Sequence, residues 1–176
     1  MNVRFAEQQD ILRIAEIYNH SIDDPLKSSA EQTHTYTERL RWFELRDDRY
    51  KVMVVCDGER VVGFGSLDRF STRYCYNFVA ELAIYVEPLY RGKGYAKALA
   101  QKLIKVAQSI GFYKLIVTLF EMNQPAINLY TSFGFETVGI YKKMGYYKGE
   151  LQDAIIFAKD LPFNKETVEN YYENNN

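Results

Sequence analysis

The stretch LYRGKGYAKAL, Leu89–Leu99, decides the fold of this chain. Two glycines, Gly92 and Gly94, stand where an apolar helical pattern is about to begin. Three cations share the stretch: Arg91, Lys93 and Lys97. The first amides of a helix lack intrahelical acceptors and carry partial positive charge, and glycine lets a ligand come close to the backbone. The stretch therefore predicts an anion-binding turn that leads into a helix.

The glycine spacing does not match two common phosphate-binding loops. A Walker loop requires GxxxxGK[ST], which this stretch lacks. A dinucleotide fingerprint requires a third glycine or alanine at the position that Lys97 occupies. From the glycines alone, a helix cap with a solvated cationic face explains the stretch equally well. The nature of the anion has to come from elsewhere in the chain.

Strand-like and helical segments follow one another in a single order on both sides of this turn. Two valine-rich runs flank Asp57-Gly58, which predicts an antiparallel hairpin. The helix after the glycine turn is expected to end at Gly111, and a later one at Gly134. The order is β, α, α, three antiparallel strands, α, β, α, β, β. It predicts an α+β (mixed α/β) domain in which helices cover a sheet.

Two local features near the N-terminus complete this outline. The polar residues from Asn19 to Tyr36, with Pro25 among them, predict a long loop. Thr37 is expected to cap the helix that follows, because a threonine side chain can accept from the first free amides. Leu40 and Phe43 then point inward at helical spacing.

Composition limits the classes of partner. The 176 residues predict one domain, and 22 Lys+Arg against 23 Asp+Glu give a net charge of −1. Such a chain has no general attraction for nucleic acid or an anionic membrane, so anion recognition must be local. The N-terminus has no apolar signal core and no run is long enough to span a membrane, which predicts a cytoplasmic protein. Residues 164–176 are polar and poor in aliphatic side chains, which predicts a frayed tail.

Cysteine and histidine are too sparse to predict a metal site. Cys56 and Cys75 form no CxxC pair, and two buried thiols in a reducing cytosol are expected. A disulfide between them remains an alternative. His20 and His34 lie in or beside the predicted loop without a cluster of other ligands, so each is expected to be solvated, with a substrate contact from the loop as the alternative.

At Arg91-x-x-Gly94-x-Ala96 the sequence resembles the pyrophosphate loop of the GCN5-related N-acetyltransferases. NQPAINLYTSFGFETVG resembles the second signature of that family. IAEIYNHSI, DGERVVGF and GYYKGELQDAIIF resemble its phosphinothricin acetyltransferase-like subgroup. The likeness runs from about Val3 to Lys159. It implies a three-layer fold with a mixed, mostly antiparallel central sheet between helices, formed by a single acetyltransferase domain over residues 1–163, and a homodimer.

The resemblance also implies a site for acetyl-CoA, used as co-substrate without a metal. The backbone of Ile84 and Val86 would pair with the pantetheine arm, and the amides from Gly92 to Ala96 would hold the pyrophosphate. Asn123 would contact the arm, although a plain helix cap explains this residue too. The full implied set is Ile84, Tyr85, Val86, Arg91, Gly92, Lys93, Gly94, Tyr95, Ala96, Lys97, Asn123 and Asn128.

Two residues are candidates for proton transfer. Glu81 lies in the apolar run FVAELAIYV, where burial would raise its pKa and make it a better base. Strand alternation that turns Glu81 to solvent is the alternative, but phosphinothricin-type enzymes place a glutamate at this step. Tyr130, within NxxAxxLYxxxGF, would protonate the departing CoA sulfur, although an aromatic residue on a helix is more often part of the core. The subgroup often has histidine there, which leaves the substrate open.

Arg69, Arg73 and Tyr74 precede the Glu81 strand and are candidate substrate contacts, since a guanidinium can hold a carboxylate bidentately. The leading hypothesis is acetyl transfer to the amine of a small, amino-acid-like substrate of the phosphinothricin or methionine sulfoximine type. Acetylation of protein N-termini or lysines is one alternative, and a CoA-binding sensor without turnover is another. A sensor would need neither Glu81 nor Tyr130.

Overall fold

In the part of the chain that the computed structural model describes, residues 1–22, 33–147 and 149–174, seven strands form one mixed sheet. The strands are β1 Asn2–Phe5, β2 Val52–Asp57, β3 Arg60–Arg69, β4 Val79–Val86, β5 Lys114–Phe120, β6 Glu136–Tyr147 and β7 Glu150–Asp160. Their order across the sheet is β1-β2-β3-β4-β5-β7-β6. Every neighbouring pair is antiparallel except β4 and β5. The predicted class and the mostly antiparallel mixed sheet are confirmed.

Helices cover both faces of the sheet. They are α1 Ile11–Ile22, α2 Tyr36–Glu44, α3 Tyr95–Ile110, α4 Gln124–Ser132 and α5 Lys165–Asn174. The apolar stripe of α1 packs with Val54 and Phe64 on one face, and the stripe of α3 packs with Val62 and Leu82 on the other. The three-layer arrangement is therefore confirmed. No helix of the described ranges is both long enough and apolar enough to cross a bilayer.

The start of α2 differs from the prediction. Thr35, not Thr37, is the cap: its hydroxyl accepts from the amide of Glu38 at 3.2 Å. The Glu38 carboxylate accepts in return from the Thr35 amide at 2.7 Å, which completes a capping box. Thr37 cannot form this pair because it already lies inside the first turn. Pro25, expected within a loop here, lies outside the described residues.

The pairing of β4 with β5 is short. It covers only three residues of β4, ending at Glu81 opposite Ile116. Beyond that point β4 stays paired with β3 as far as Val86, while β5 stays paired with β7 as far as Phe120. The two central strands therefore diverge, and one backbone edge of the upper half of β4 faces an opening.

The C-terminal segment corrects the prediction of a frayed tail. Residues Lys165–Asn174 form α5, and the rings of Tyr171 and Tyr172 lie 5.1 and 5.8 Å from the ring of Phe78. Phe78 is only 1% exposed. The composition argument counted aliphatic side chains, but here aromatic rings supply the buried area.

The prediction that both cysteines are buried is confirmed for Cys56 and wrong for Cys75. Cys56 is buried in β2, whereas Cys75 is exposed, and both thiols are free. Cys75 lies in a short 3-10 turn, Tyr74–Tyr76, whose residues are all exposed. Its place between two tyrosines suggested burial, but the turn runs along the surface.

Removing α5 should therefore destabilise the fold. A chain that ends at Asn164 loses the aromatic cover of Phe78, and we expect the free energy of unfolding to fall by about 2–4 kcal/mol. Urea denaturation followed by circular dichroism measures this change. Glu173→Ala, an exposed substitution on the same helix, is the control and should leave the midpoint unchanged. An unchanged midpoint for the shortened chain would show that the segment frays in solution.

Candidate active site

A cleft of 440 Å³ opens where β4 leaves β5. Its walls come from the upper half of β4, the glycine turn, β5 and the start of α4. The residues that line it include Leu82, Ile84, Val86, Val117, Leu119 and Leu129. Since these walls are apolar while the turn is cationic, the cleft suits a ligand with a neutral arm and an anionic end.

The glycine turn forms one end of this cleft. Gly92 has φ 72° and Gly94 has φ 89°, the left-handed conformations that glycine adopts without strain. Gly94 is the N-cap of α3, so the unpaired amides of the first helical turn stand at the cleft. Arg91 also lines the cleft, and its Nε donates to the carbonyl of Val86 at 3.1 Å. Backbone amides, the helix dipole and two of the three predicted cations, Arg91 and Lys97, thus lie at this end of the cleft.

The candidate cofactor residues do not all reach the cleft. The cleft lining includes four further candidates: Tyr85, Tyr95, Ala96 and Lys97. Lys93 does not, because its exposed ammonium lies over the ring of Tyr90, 5.1 Å from the centroid.

Of the two candidate asparagines, one lines the cleft and the other does not. Asn123 lines the cleft and also caps α4, because its Oδ1 accepts from the amide of Ala126 at 3.2 Å. The capping role is thus confirmed, while contact between Asn123 and a bound cofactor stays a prediction. Asn128 lies on the exposed side of the helix, where its Oδ1 accepts from Nε2 of Gln124 at 2.9 Å. The structure does not bring Asn128 to the cleft.

Tyr130 lies at the wall of the cleft between α4 and β5 and is 4% exposed. Its ring makes an edge contact with Phe135, with centroids 5.3 Å apart. Burial raises the pKa of the Tyr130 phenol far above its usual range. The phenol is therefore neutral at physiological pH, and its O–H can donate a hydrogen bond or a proton.

Glu81 lies at the point where β4 and β5 diverge. It is the last residue of β4 paired with β5, and it lies directly opposite Asp68 of β3. Residues paired in this way point to the same side of a sheet, so the two carboxylates are neighbours. Burial raises the pKa of Glu81, and the negative charge of Asp68 raises it further. Glu81 is half-buried rather than turned fully to solvent.

A second cavity, of 530 Å³, lies on the α1 and α2 side of the sheet. Its lining includes Tyr18, Arg39, Trp42, Phe64, Ser66 and Asp68. Ala83 and Tyr85 line both this cavity and the cleft, so the two spaces meet on β4 just beyond Glu81. Ala83 has the smallest side chain that a strand residue other than glycine can place at such a junction.

Sequence reasoning missed Asp68 and Arg39. A signal for Asp68 was present, because Phe64, Ser66 and Asp68 alternate in GFGSLD and so share one face of β3. The hydroxyl of Ser66 donates to the Asp68 carboxylate, which also pairs with Arg46 at 2.7 Å. Arg39 carries no comparable local signal, since only the packing of α2 on α1 and the sheet buries it.

The histidines lie away from the point where β4 and β5 diverge. His34 lines the second cavity, and burial lowers its pKa. His20 is exposed on α1. Across the described ranges, no three His, Cys, Asp or Glu side chains are grouped as ligands of a metal ion would be.

The candidate substrate residues are not brought to Glu81. The Arg69 guanidinium lies over the ring of Tyr50, 5.6 Å from its centroid, because strand alternation turns it to the opposite face from Asp68. Arg73 is exposed, and the ring of Tyr74 packs against Tyr172 of α5 at 4.6 Å. None of these three side chains lines the cleft or the second cavity. Nearness in sequence to Glu81 was a poor guide because the chain turns away before β4 begins.

Comparison with known proteins gives one consistent family. The sequence profile of the Acetyltransferase (GNAT) family matches residues 14–135. The L-amino acid N-acyltransferase MnaT of Escherichia coli is 30% identical over 162 residues, which are 92% of this chain and 94% of the relative.

Solved structures agree in fold. A GNAT superfamily phosphinothricin acetyltransferase from Sinorhizobium meliloti, crystallised with acetyl-CoA, is 27% identical with a TM-score of 0.87, covering 94% of this chain and 90% of its own. A ribosomal-protein-alanine N-acetyltransferase from Brucella melitensis is 29% identical with a TM-score of 0.88, covering 92% of this chain and 100% of its own. The similar proteins thus include enzymes for both small and protein acceptors.

The pairing of Glu81 with Asp68 makes a prediction that needs no substrate. Asp68→Asn removes the neighbouring negative charge, so the pKa of Glu81 should fall, yet stay above its ordinary value because burial is the larger cause. A carboxyl-carbon NMR titration, with Glu81 assigned by its loss in Glu81→Gln, measures this. Asp48→Asn, an exposed surface change, is the control and should leave the titration unmoved. A Glu81 pKa that does not move in Asp68→Asn would refute the coupling.

Proposed function

The chain belongs to the GNAT family of acetyltransferases, and on that premise we propose that it transfers the acetyl group of acetyl-CoA to the primary amine of a small amino-acid-like substrate. The observation that carries the proposal is the junction at Ala83 and Tyr85, where the cleft and the second cavity meet just beyond Glu81. One space suits the acyl donor and the other suits the acceptor. A direct transfer requires such a meeting point and no covalent enzyme intermediate.

The residues of the cleft fit acetyl-CoA. The amides of the glycine turn and the side chains of Arg91 and Lys97 suit a pyrophosphate. The diverging edge of β4, at Ile84 and Val86, leaves backbone groups beside the cleft that suit the amides of pantetheine. When bound, acetyl-CoA supplies the acyl group as a reactive thioester.

Glu81 is proposed as the base. An amine nucleophile has an ordinary pKa near ~10.4 and must lose its proton before it attacks. A carboxylate whose pKa is raised by burial and by Asp68 accepts a proton more readily at neutral pH. Glu81 lies where β4 and β5 diverge, close to the residues at which the two cavities meet. From there it can receive that proton directly or through one water.

Tyr130 is proposed as the acid. Its phenol, held protonated by burial, lines the cleft on the α4 side and can donate to the departing sulfur. A thiolate leaves more readily when it gains a proton, because the ordinary thiol pKa is about 8.5. Glu81 lies on β4 at the point where the strands diverge, whereas Tyr130 lines the cleft from α4, so the proposed base and acid belong to different elements.

A second candidate function is acetylation of a protein N-terminus, since the Brucella melitensis neighbour bears a ribosomal-protein-alanine name. The second cavity favours the small acceptor, because its 530 Å³ is in the range of small-molecule pockets. A CoA-binding sensor would leave Glu81 and Tyr130 without a role. Cytoplasmic location and a homodimer remain predictions.

The first experiment is amine-dependent release of CoA thiol from acetyl-CoA. The panel contains free amino acids, methionine sulfoximine, phosphinothricin, polyamines and a short peptide that begins with alanine. The readout is corrected for the protein's own thiols, of which Cys75 is exposed. We expect turnover with one or more small amino-acid-like amines. Turnover with the peptide alone would establish the protein-acceptor function, and acetyl-CoA binding without any turnover would support the sensor.

Glu81→Gln tests the base. The substitution keeps the shape but removes the proton acceptor, so we expect kcat to fall by about 10²- to 10⁴-fold. Binding of acetyl-CoA, measured by calorimetry, should stay intact because Glu81 does not line the cleft. Glu59→Gln makes the same change in the exposed turn between β2 and β3 and should be silent. Loss of acetyl-CoA binding in Glu81→Gln would assign a structural role to Glu81 instead.

A further inference from the structure

Arg39 of α2 is a buried cation that pairs with no carboxylate among the described residues. It is 7% exposed, and its guanidinium carbon lies 3.7 Å from the ring centroid of Tyr18 and 5.0 Å from that of Trp42. Its Nε has no hydrogen-bond partner. Among the described residues, no carboxylate forms an ion pair with it.

The two acids whose charges act on Arg39, Glu38 and Asp68, already have other partners. Glu38 lies beside it in α2, but its carboxylate closes the capping box with Thr35. Asp68 lies across the same cavity and pairs with Arg46 at 2.7 Å. An unpaired buried charge is unfavourable, and burial accordingly lowers the pKa of Arg39. A bound anion would relieve this cost.

The position of Arg39 points to the anion that it would bind. It lines the second cavity, which meets the cleft at Ala83 and Tyr85. Tyr18, on which the guanidinium lies, packs against Tyr85 with centroids 5.3 Å apart. Arg39 therefore borders the same space as the proposed acceptor amine. An α-amino acid carries a carboxylate on the carbon next to its amine, so one small molecule can reach both.

We propose that Arg39 binds the α-carboxylate of the acceptor, which makes free amino acids, rather than simple amines or peptides, the substrate class. The inference rests on the proposed acetyltransferase function and names the group that selects its acceptor. The rings of Trp42, Phe64 and Tyr85 form much of the remaining wall, which suits a neutral, apolar side chain. The Arg39 guanidinium lies near the rings of Tyr18 and Trp42, and its planar fork matches the geometry of a bidentate carboxylate.

The test compares an amino acid with its amide in the wild type and in Arg39→Gln. L-Methionine and L-methioninamide differ at the carboxylate alone. In the wild type we expect kcat/KM for methionine to exceed that for the amide. In Arg39→Gln the value for methionine should fall by about 30- to 1,000-fold, mostly through KM, because a buried charge pair is lost. The value for methioninamide should not change.

Two matched variants separate charge recognition from a structural effect. Arg69→Gln makes the same change on the opposite face of the sheet and should leave both substrates unaffected. Arg39→Lys keeps the charge but not the planar fork, and should recover part of the preference for methionine. Equal losses for methionine and its amide in Arg39→Gln would overturn the inference, and so would an effect of Arg69→Gln alone.

A binding measurement keeps the inference independent of turnover. Without acetyl-CoA, methionine should raise the melting temperature of the wild type more than methioninamide does, and Arg39→Gln should abolish the difference. This pattern together with no turnover would refute the acetyltransferase proposal and retain the carboxylate site. Turnover of amino acid and amide at equal kcat/KM in the wild type would refute the site and retain the acetyltransferase.

Discussion

The divergence of β4 and β5 after the Glu81–Ile116 pair is the constraint on which the rest of the structure depends. Backbone donors and acceptors must find partners, so strands rarely separate within a sheet unless something else holds them. Here β3 holds β4 as far as Val86, and β7 holds β5 as far as Phe120. Each strand thus keeps one paired edge, and the other edge of β4 becomes a wall of the cleft. A ligand with amide groups can satisfy that edge without any side chain.

Every other part of the proposed site is positioned relative to this opening. The chain leaves β4 at Val86 and reaches α3 through the glycine turn, so the helix N-terminus stands at the mouth of the cleft. At the other end, the last paired residue, Glu81, lies beside Ala83, where the two cavities join. The proposed anion-binding turn and the proposed base are therefore separated along one strand. The length of β4 sets the distance between them.

Charge acts locally in this protein. A net charge of −1 creates no general field, and the important charges are partly or wholly desolvated. Glu81 and Asp68 face each other across two strands, which favours the protonated form of Glu81. Arg39 lies between aromatic rings with no described carboxylate to neutralise it. Low local polarity makes each of these groups more responsive to a ligand than it would be at the surface.

The sequence by itself determined the features that depend on neighbours along the chain: the glycine turn, the Asp57-Gly58 hairpin, the order of strands and helices, and the family resemblance. Glycine permits the positive φ found at Gly92 and Gly94 without strain and without support from a tertiary contact. Only the tertiary structure decided that the C-terminal segment packs as α5, that Arg69 turns away from the site, and that Arg39 is buried within it. These outcomes depend on which surfaces meet across the sheet, and burial between distant segments leaves no periodic or spacing signal in the sequence.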